Sequence, residues 1–166
     1  MTDSNIGGTI NSTVNLCSME PSYISDSGVA LWSPKCPEQY KPFIGQKFLT
    51  PDEVVKFYEN YAKIVGFDVR ANTTISSDGV VKLKHLLCHR QGFKRKKAKV
   101  NTLKNPNSKQ RIRKETRCGC EARLYFKLVD GGMYIVYVFE ENHNHQLAST
   151  FGKQFLMHNR HLSIDK

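Results

Sequence analysis

The chain has 166 residues, 39% of them hydrophobic, and a net charge of +10, enough material for one compact domain with an arm beside it. No apolar run approaches the roughly 20 residues of a membrane helix, and the N-terminus has neither the basic start nor the apolar stretch of a secretory signal. We therefore expect an intracellular protein with no membrane and no small-molecule partner, in which an odd count of five cysteines reads as metal ligands or free thiols before disulfides.

Residues 1–41 are rich in Ser, Asn, Thr and Pro, with no sustained period, and Trp32 is their one large anchor. They read as a disordered arm. The run "FLTPDEVVKFYENYAKIVGF" carries helix signals at both ends. Thr50 can cap the N-terminus with Glu53 reaching back, Pro51 suits the first helical position, and Asp52 and Glu53 complement the dipole. Val54, Phe57, Tyr58, Tyr61 and Val65 fall on one face and Gly66 is placed to end the helix, so its aromatics are read as core rather than as a base-stacking platform.

Four strands are predicted next: Phe67–Ile75, Val80–Cys88 after a turn at Asp78-Gly79, then "EARLYFKLV" and "MYIVYVFE" joined by Asp130 to Gly132. The fold class is α+β, a helix packed on a four-stranded antiparallel sheet. So thin a core commonly needs a metal or disulfide staple. Between the second and third strands lies a basic loop. From Lys82 to Arg117 the chain holds 14 Lys plus Arg against one acid, Glu115, so +13 of the net +10 sits here and the remainder of the chain is close to −3. That is the footprint of a polyanion, because each phosphate neutralised releases counterions and adds sequence-independent affinity. A merely solvated loop is the competing reading.

The last strand ends in "EENHNHQL". If extended geometry continues, His143 and His145 point to the same side and can share an ion. Cys88 ends one strand and "CGC", Cys118 to Cys120, opens the next. Two thiolates and two neutral imidazoles form the tetrahedral set that zinc prefers, whereas a bare His-x-His would be read as an ordinary surface pair. Spacing alone leaves open which of Cys118 and Cys120 is the ligand. Closed coordination implies a structural rather than a catalytic ion. The letters "HNH" do not make a nuclease, and no constellation of acids is present to hold two metals for phosphodiester chemistry, so no enzyme is expected.

The run "GQKFLTPDEVVKFYENYAKIVGFDVR", the Cys88 strand, the basic loop, "TRCGCEARL" and "FEENHNHQL" together resemble the DNA-binding domain of the far-red-impaired-response family, plant transcription factors derived from Mutator-like transposases. That domain belongs to the WRKY and glial-cells-missing zinc superfamily. The resemblance covers about Pro42 to Ser149 and divides the chain into the arm (1–41), a zinc-stabilised DNA-binding domain (42–149) and a polar tail (150–166), with both tails flexible. It implies zinc held by Cys88, Cys120, His143 and His145. The 22 residues between Cys120 and His143 fit the WRKY-like spacing, and Cys118 becomes a spare thiol or alternative ligand.

The heptapeptide "WRKYGQK" is missing, so the WRKY subgroup's base specificity does not transfer. By topology the reading strand is Phe67–Ile75, offering Arg70, Asn72, Thr73 and Thr74. Arg pairs bidentately with guanine and Asn with adenine, which makes Arg70 and Asn72 candidates for base readout; exposed polar residues of an edge strand are the competing reading. Lys94, Arg95, Lys96, Lys97, Lys99, Arg111, Arg113, Lys114 and Arg117 are read as phosphate contacts, and "KRKK" also suits nuclear import. The expected function is a sequence-specific, zinc-stabilised transcription regulator in the nucleus. Double-stranded DNA is its expected partner, with longer family members or a second copy as protein partners. The alternative is a zinc-stabilised RNA-binding or protein-interaction module.

Overall fold

The computed structural model of the chain describes residues 21–93 and 115–159. In chain order the regular elements are strands β1 (Tyr23–Ile24), β2 (Ala30–Leu31) and β3 (Lys47–Phe48), helix α1 (Pro51–Val65), and strands β4 (Val69–Ser77), β5 (Val80–Cys88), β6 (Arg123–Leu128) and β7 (Tyr134–Glu140). No helix among the described residues is long and apolar enough to cross a membrane.

Helix α1 forms as its sequence signals require. Thr50 Oγ1 accepts from the Glu53 amide at 3.2 Å, and Glu53 Oε2 accepts from the amides of Thr50 at 3.4 Å and Leu49 at 3.1 Å. Donors that the first turn leaves unpaired are thereby satisfied. At the other end Gly66 turns left-handed with φ 106°. A Cβ there would also meet the Ala148 carbonyl oxygen at 2.7 Å, so conformation and close approach both demand glycine.

Strands β4 to β7 form an antiparallel meander, and β3 adds beside β7, giving the order β3-β7-β6-β5-β4. The sheet thus has five strands where four are predicted, because a two-residue strand leaves no alternation to read. The β4–β5 turn has positive φ at both Asp78 (53°) and Gly79 (75°), the conformation whose twist suits a two-residue hairpin. One face of the sheet supplies Leu86, Cys88, Leu124, Phe126, Tyr134 and Val136 to the core, and α1 supplies Val54, Tyr58, Tyr61, Ala62 and Val65. Phe57, expected in that stripe, is half-buried and lies beside Phe48 with ring centroids 5.6 Å apart.

Of the two segments expected to be flexible, residues 21–41 and 150–159 are described, and these make ordered contacts. Within the arm, β1 and β2 pair as a hairpin. The following Trp32 is bridged to His143 by two backbone hydrogen bonds, Trp32 N–H to His143 O at 2.8 Å and His143 N–H to Trp32 O at 3.1 Å. After residue 150 the chain makes short 3-10 turns at Gly152–Phe155 and Met157–Asn159. Lys153 Nζ donates to the Ile64 carbonyl, a cation at the negative end of α1. The Met157 amide donates to Asp68 Oδ1 at 2.8 Å. A composition rich in Ser, Asn, Thr and Pro favours disorder only while such long-range partners are lacking, and a sequence does not display them.

Candidate metal centre and nucleic-acid face

The meander brings three chain segments to one end of the sheet. Cys88 is the last residue of β5, Cys120 lies three residues before β6 begins, and His143 and His145 follow the end of β7. The turn after Cys88 is closed by Gln91 N–H to Cys88 O at 3.0 Å. The Arg90 carbonyl accepts from the amides of both Cys118 (3.0 Å) and Cys120 (3.3 Å). Gly119, at φ 73°, lets the chain bend between the two cysteines.

All four side chains are buried, and their ligand atoms lie within 4.8 Å of one another. Cys88 Sγ is 3.3 Å from His145 Nε2, Cys120 Sγ is 3.4 Å from His143 Nδ1, and the two ring nitrogens are 3.3 Å apart. Donors bound tetrahedrally at the distances usual for zinc stand about 3.3–3.8 Å from one another, so the cluster has the dimensions of a four-coordinate metal site. Its donor set fits too, and so does the outer contact of His145, whereas His143 Nε2 is buried with no partner among the described residues. His145 Nδ1 faces the Gln146 carbonyl at 3.0 Å; a carbonyl only accepts, so the proton sits on Nδ1 and leaves the Nε2 lone pair to the cluster.

Electrostatics point the same way. The Cys120 thiol is pulled down to about 2 by the hydrogen bond from Cys88, against burial, with His143 and His145 adding to the pull. The same sulfur pairing, together with burial, pushes Cys88 up. Burial holds His143 below the usual imidazole range and therefore neutral, the form in which it binds a metal. A thiolate in an apolar cage is costly to leave alone, and a cation offsets that cost. The four residues can hold a metal ion.

Cys118 stands outside this set. It is half-buried, its thiol lies 3.3 Å from Asn144 Oδ1, and Asn144 Nδ2 donates to the Cys118 carbonyl at 2.9 Å. The pair ties the "CGC" bend to the residue between the two histidines. Sequence reasoning missed Asn144, the Gln146 carbonyl and the Trp32 bridge. Of these, only Trp32, the single tryptophan of the chain, left a signal.

The groups expected to meet DNA are placed unevenly. β4 is an edge strand, and its first residue, Val69, pairs with Cys88, so the metal end of the sheet positions it. Between Ala71 and Thr74 the register slips by one residue, bulging the edge at Asn72 and Thr73. Asn72 and Thr74 are exposed and Thr73 is half-buried. Arg70 is not a free cation: Nη2 donates to Gln91 Oε1 at 2.7 Å and to the Gln91 carbonyl at 3.3 Å. Arg117 is exposed, with its amide on Glu115 Oε1 at 3.1 Å. Lys94, Arg95, Lys96, Lys97, Lys99, Arg111, Arg113 and Lys114 lie outside the described residues.

Residues 56–149 match the family profile described as the FAR1 DNA-binding domain. The chain is also similar to Arabidopsis thaliana proteins. FAR1-RELATED SEQUENCE 11 is 37% identical over 128 residues, 74% of this chain and 18% of the relative. FAR1-RELATED SEQUENCE 10 is 37% identical over 112 residues, 65% of this chain and 16% of the relative. FAR1-RELATED SEQUENCE 5 is 32% identical over 113 residues, 65% of this chain and 14% of the relative. The chain thus spans less than a fifth of the length of these relatives. No solved structure matches it.

Proposed function

This chain belongs to the FAR1 DNA-binding domain family, and we propose that it is a zinc-stapled, non-catalytic module of a nuclear transcription regulator that reads duplex DNA by sequence. The observation that carries this reading is the buried set of Cys88, Cys120, His143 and His145 at the end of a sheet whose edge strand is β4. Zinc there supplies structure: four protein donors close the coordination shell and leave no position for a reacting water. Holding Cys88 fixes the register of β4 through its pairing with Val69.

From that edge, Asn72, Thr73 and Thr74 present amide and hydroxyl groups to base edges, and the bulge turns them away from the regular ladder. Arg70 positions this strand through Gln91 and meets phosphate or base with its remaining donors. The cations at 94–99, 111–114 and 117 supply sequence-independent phosphate affinity. The arrangement of one helix, an antiparallel meander and a Cys/Cys/His/His end suits the WRKY and glial-cells-missing superfamily. Longer relatives or a second copy of the chain are the protein partners this reading allows.

Selection from a random duplex pool tests it. The zinc-loaded chain should enrich one sequence, and Asn72→Ala should relax preference at one or two positions, each base contact being worth about 1–3 kcal/mol. Enrichment of no sequence, or tighter binding to RNA than to duplex DNA, would favour the RNA or protein-interaction alternative.

A further inference from the structure

The face of the sheet turned away from α1 has a composition of its own. Along β6, Leu124 and Phe126 are buried in the core, while the alternate residues Arg123, Tyr125 and Lys127 remain accessible. Register extends this outward row across the sheet: His85 pairs with Tyr125, and Leu87 lies between Arg70 on β4 and Arg123 on β6. Strands β4 to β7 place Arg70, Arg123 and Lys127 on this face against Glu140, which is +2, while Lys82 and Lys84 fall on the alternate positions of β5, Lys84 opposite the core residue Phe126, and bring the sheet as a whole to +4. Helix α1 holds Asp52, Glu53 and Glu59 against Lys56 and Lys63, which is −1. The two layers of the domain are oppositely charged.

Donors on the open face outnumber acceptors. Two acids lie toward the metal end of this face: Glu140 is occupied by the Asn142 amide and side chain, both at 3.1 Å, and Glu121 is exposed near it, but no carboxylate pairs with Arg123 or Lys127 among the described residues. Arg123 Nε and Arg70 Nε are buried without an acceptor among the described residues. The aromatic faces, by contrast, are taken. His85 stacks on Tyr125 with centroids 3.8 Å apart, and the Arg123 guanidinium lies 5.6 Å from the same ring. Lys127 Nζ sits 5.6 Å from the Tyr137 ring, whose hydroxyl is 3.2 Å from His85 Nε2. Rings already covered by neighbours are poor platforms for bases. What the face offers outward is cations and hydroxyls, the groups that contact phosphate.

Resting on the DNA-reading function above, we propose that this open face binds the phosphate backbone of duplex DNA through Arg123, Lys127 and the Tyr125 hydroxyl, beside the groove that β4 enters. A sheet entering the roughly 12 Å wide major groove by its edge turns its two faces toward the two phosphate walls. One of those faces is covered by the acidic helix. The other is this one.

The test is a salt titration of duplex affinity with the zinc-loaded full chain. Losing two phosphate contacts should flatten the slope of log K against log salt by about 1.8. Arg123→Gln combined with Lys127→Gln should produce that change, weaken binding alike on preferred and unrelated sequences, and leave zinc content and circular dichroism intact. Lys56→Gln on α1 should leave the slope unchanged. Lys127 is exposed, so Lys127→Gln alone, with a change of about 0.9, serves if the double variant does not fold. An unchanged slope in a chain that still binds duplex would overturn the backbone role and leave the functional reading standing. So would a loss confined to one sequence. A wild-type chain that binds no duplex DNA, or prefers single strands to duplex, would overturn both.

Discussion

Cys118 and Cys120 are two residues apart, and strict strand alternation would point both the same way. Gly119, at φ 73°, breaks the extended geometry, so Cys120 enters the buried cluster while Cys118 turns to Asn144. Cys120→Ser should therefore lose the metal and cooperative folding, whereas Cys118→Ser should keep the metal and cost about 1 kcal/mol or less, read by zinc stoichiometry and a thermal melt. Tyr58 makes a second case. Its ring is buried but its hydroxyl has no partner among the described residues. Tyr58→Phe should leave stability unchanged or raise it by up to about 1 kcal/mol in a denaturant titration, while Tyr58→Ala should lose about 3–5 kcal/mol by opening a cavity. The clustering of Cys88, Cys120, His143 and His145 was legible because their chemistry is distinctive and each lies at or near a strand end. The choice between Cys118 and Cys120 was not legible from spacing, which carries no φ. The tie from Arg70 to Gln91 crosses 21 residues and follows no period.

Among the elements, α1 is the most legible, because cap, stripe and stop are all local to it. Thr50→Ala removes one half of the capping box and should cost about 1 kcal/mol. Gly66→Ala should cost more, since it combines strain at φ 106° with a backbone contact of 2.7 Å. Chemical denaturation of both variants checks the order. The long strands were legible from alternation and from the turns at Asp78-Gly79 and Asp130 to Gly132. The strands β1, β2 and β3 were not, at two residues each; what makes them strands is a partner far along the chain. The bridge from Trp32 to His143 gives the arm a task. A chain beginning after residue 33 loses both backbone hydrogen bonds on His143, and it should release its metal to a chelator faster than the full chain does.

At the scale of the molecule, one helix and a twisted sheet bury a small core, and the apolar layer ends at the cysteine and histidine cluster. Structural zinc in small domains contributes roughly 10–16 kcal/mol, comparable to or larger than the whole stability of about 5–15 kcal/mol expected of a native domain. On the zinc-stapled reading proposed above, the metal decides whether the sheet, its β4 edge and its charged open face exist as surfaces at all. DNA binding should fall with metal removal in step with folding, not independently of it. Elemental analysis of the purified chain, with circular dichroism before and after chelation, is the most direct test. One tightly held zinc per chain, with collapse of the β-sheet signal on its removal and recovery on its return, is the expected result. A metal-free chain with an unchanged spectrum would contradict the zinc-stapled fold and the DNA-reading surface built on it.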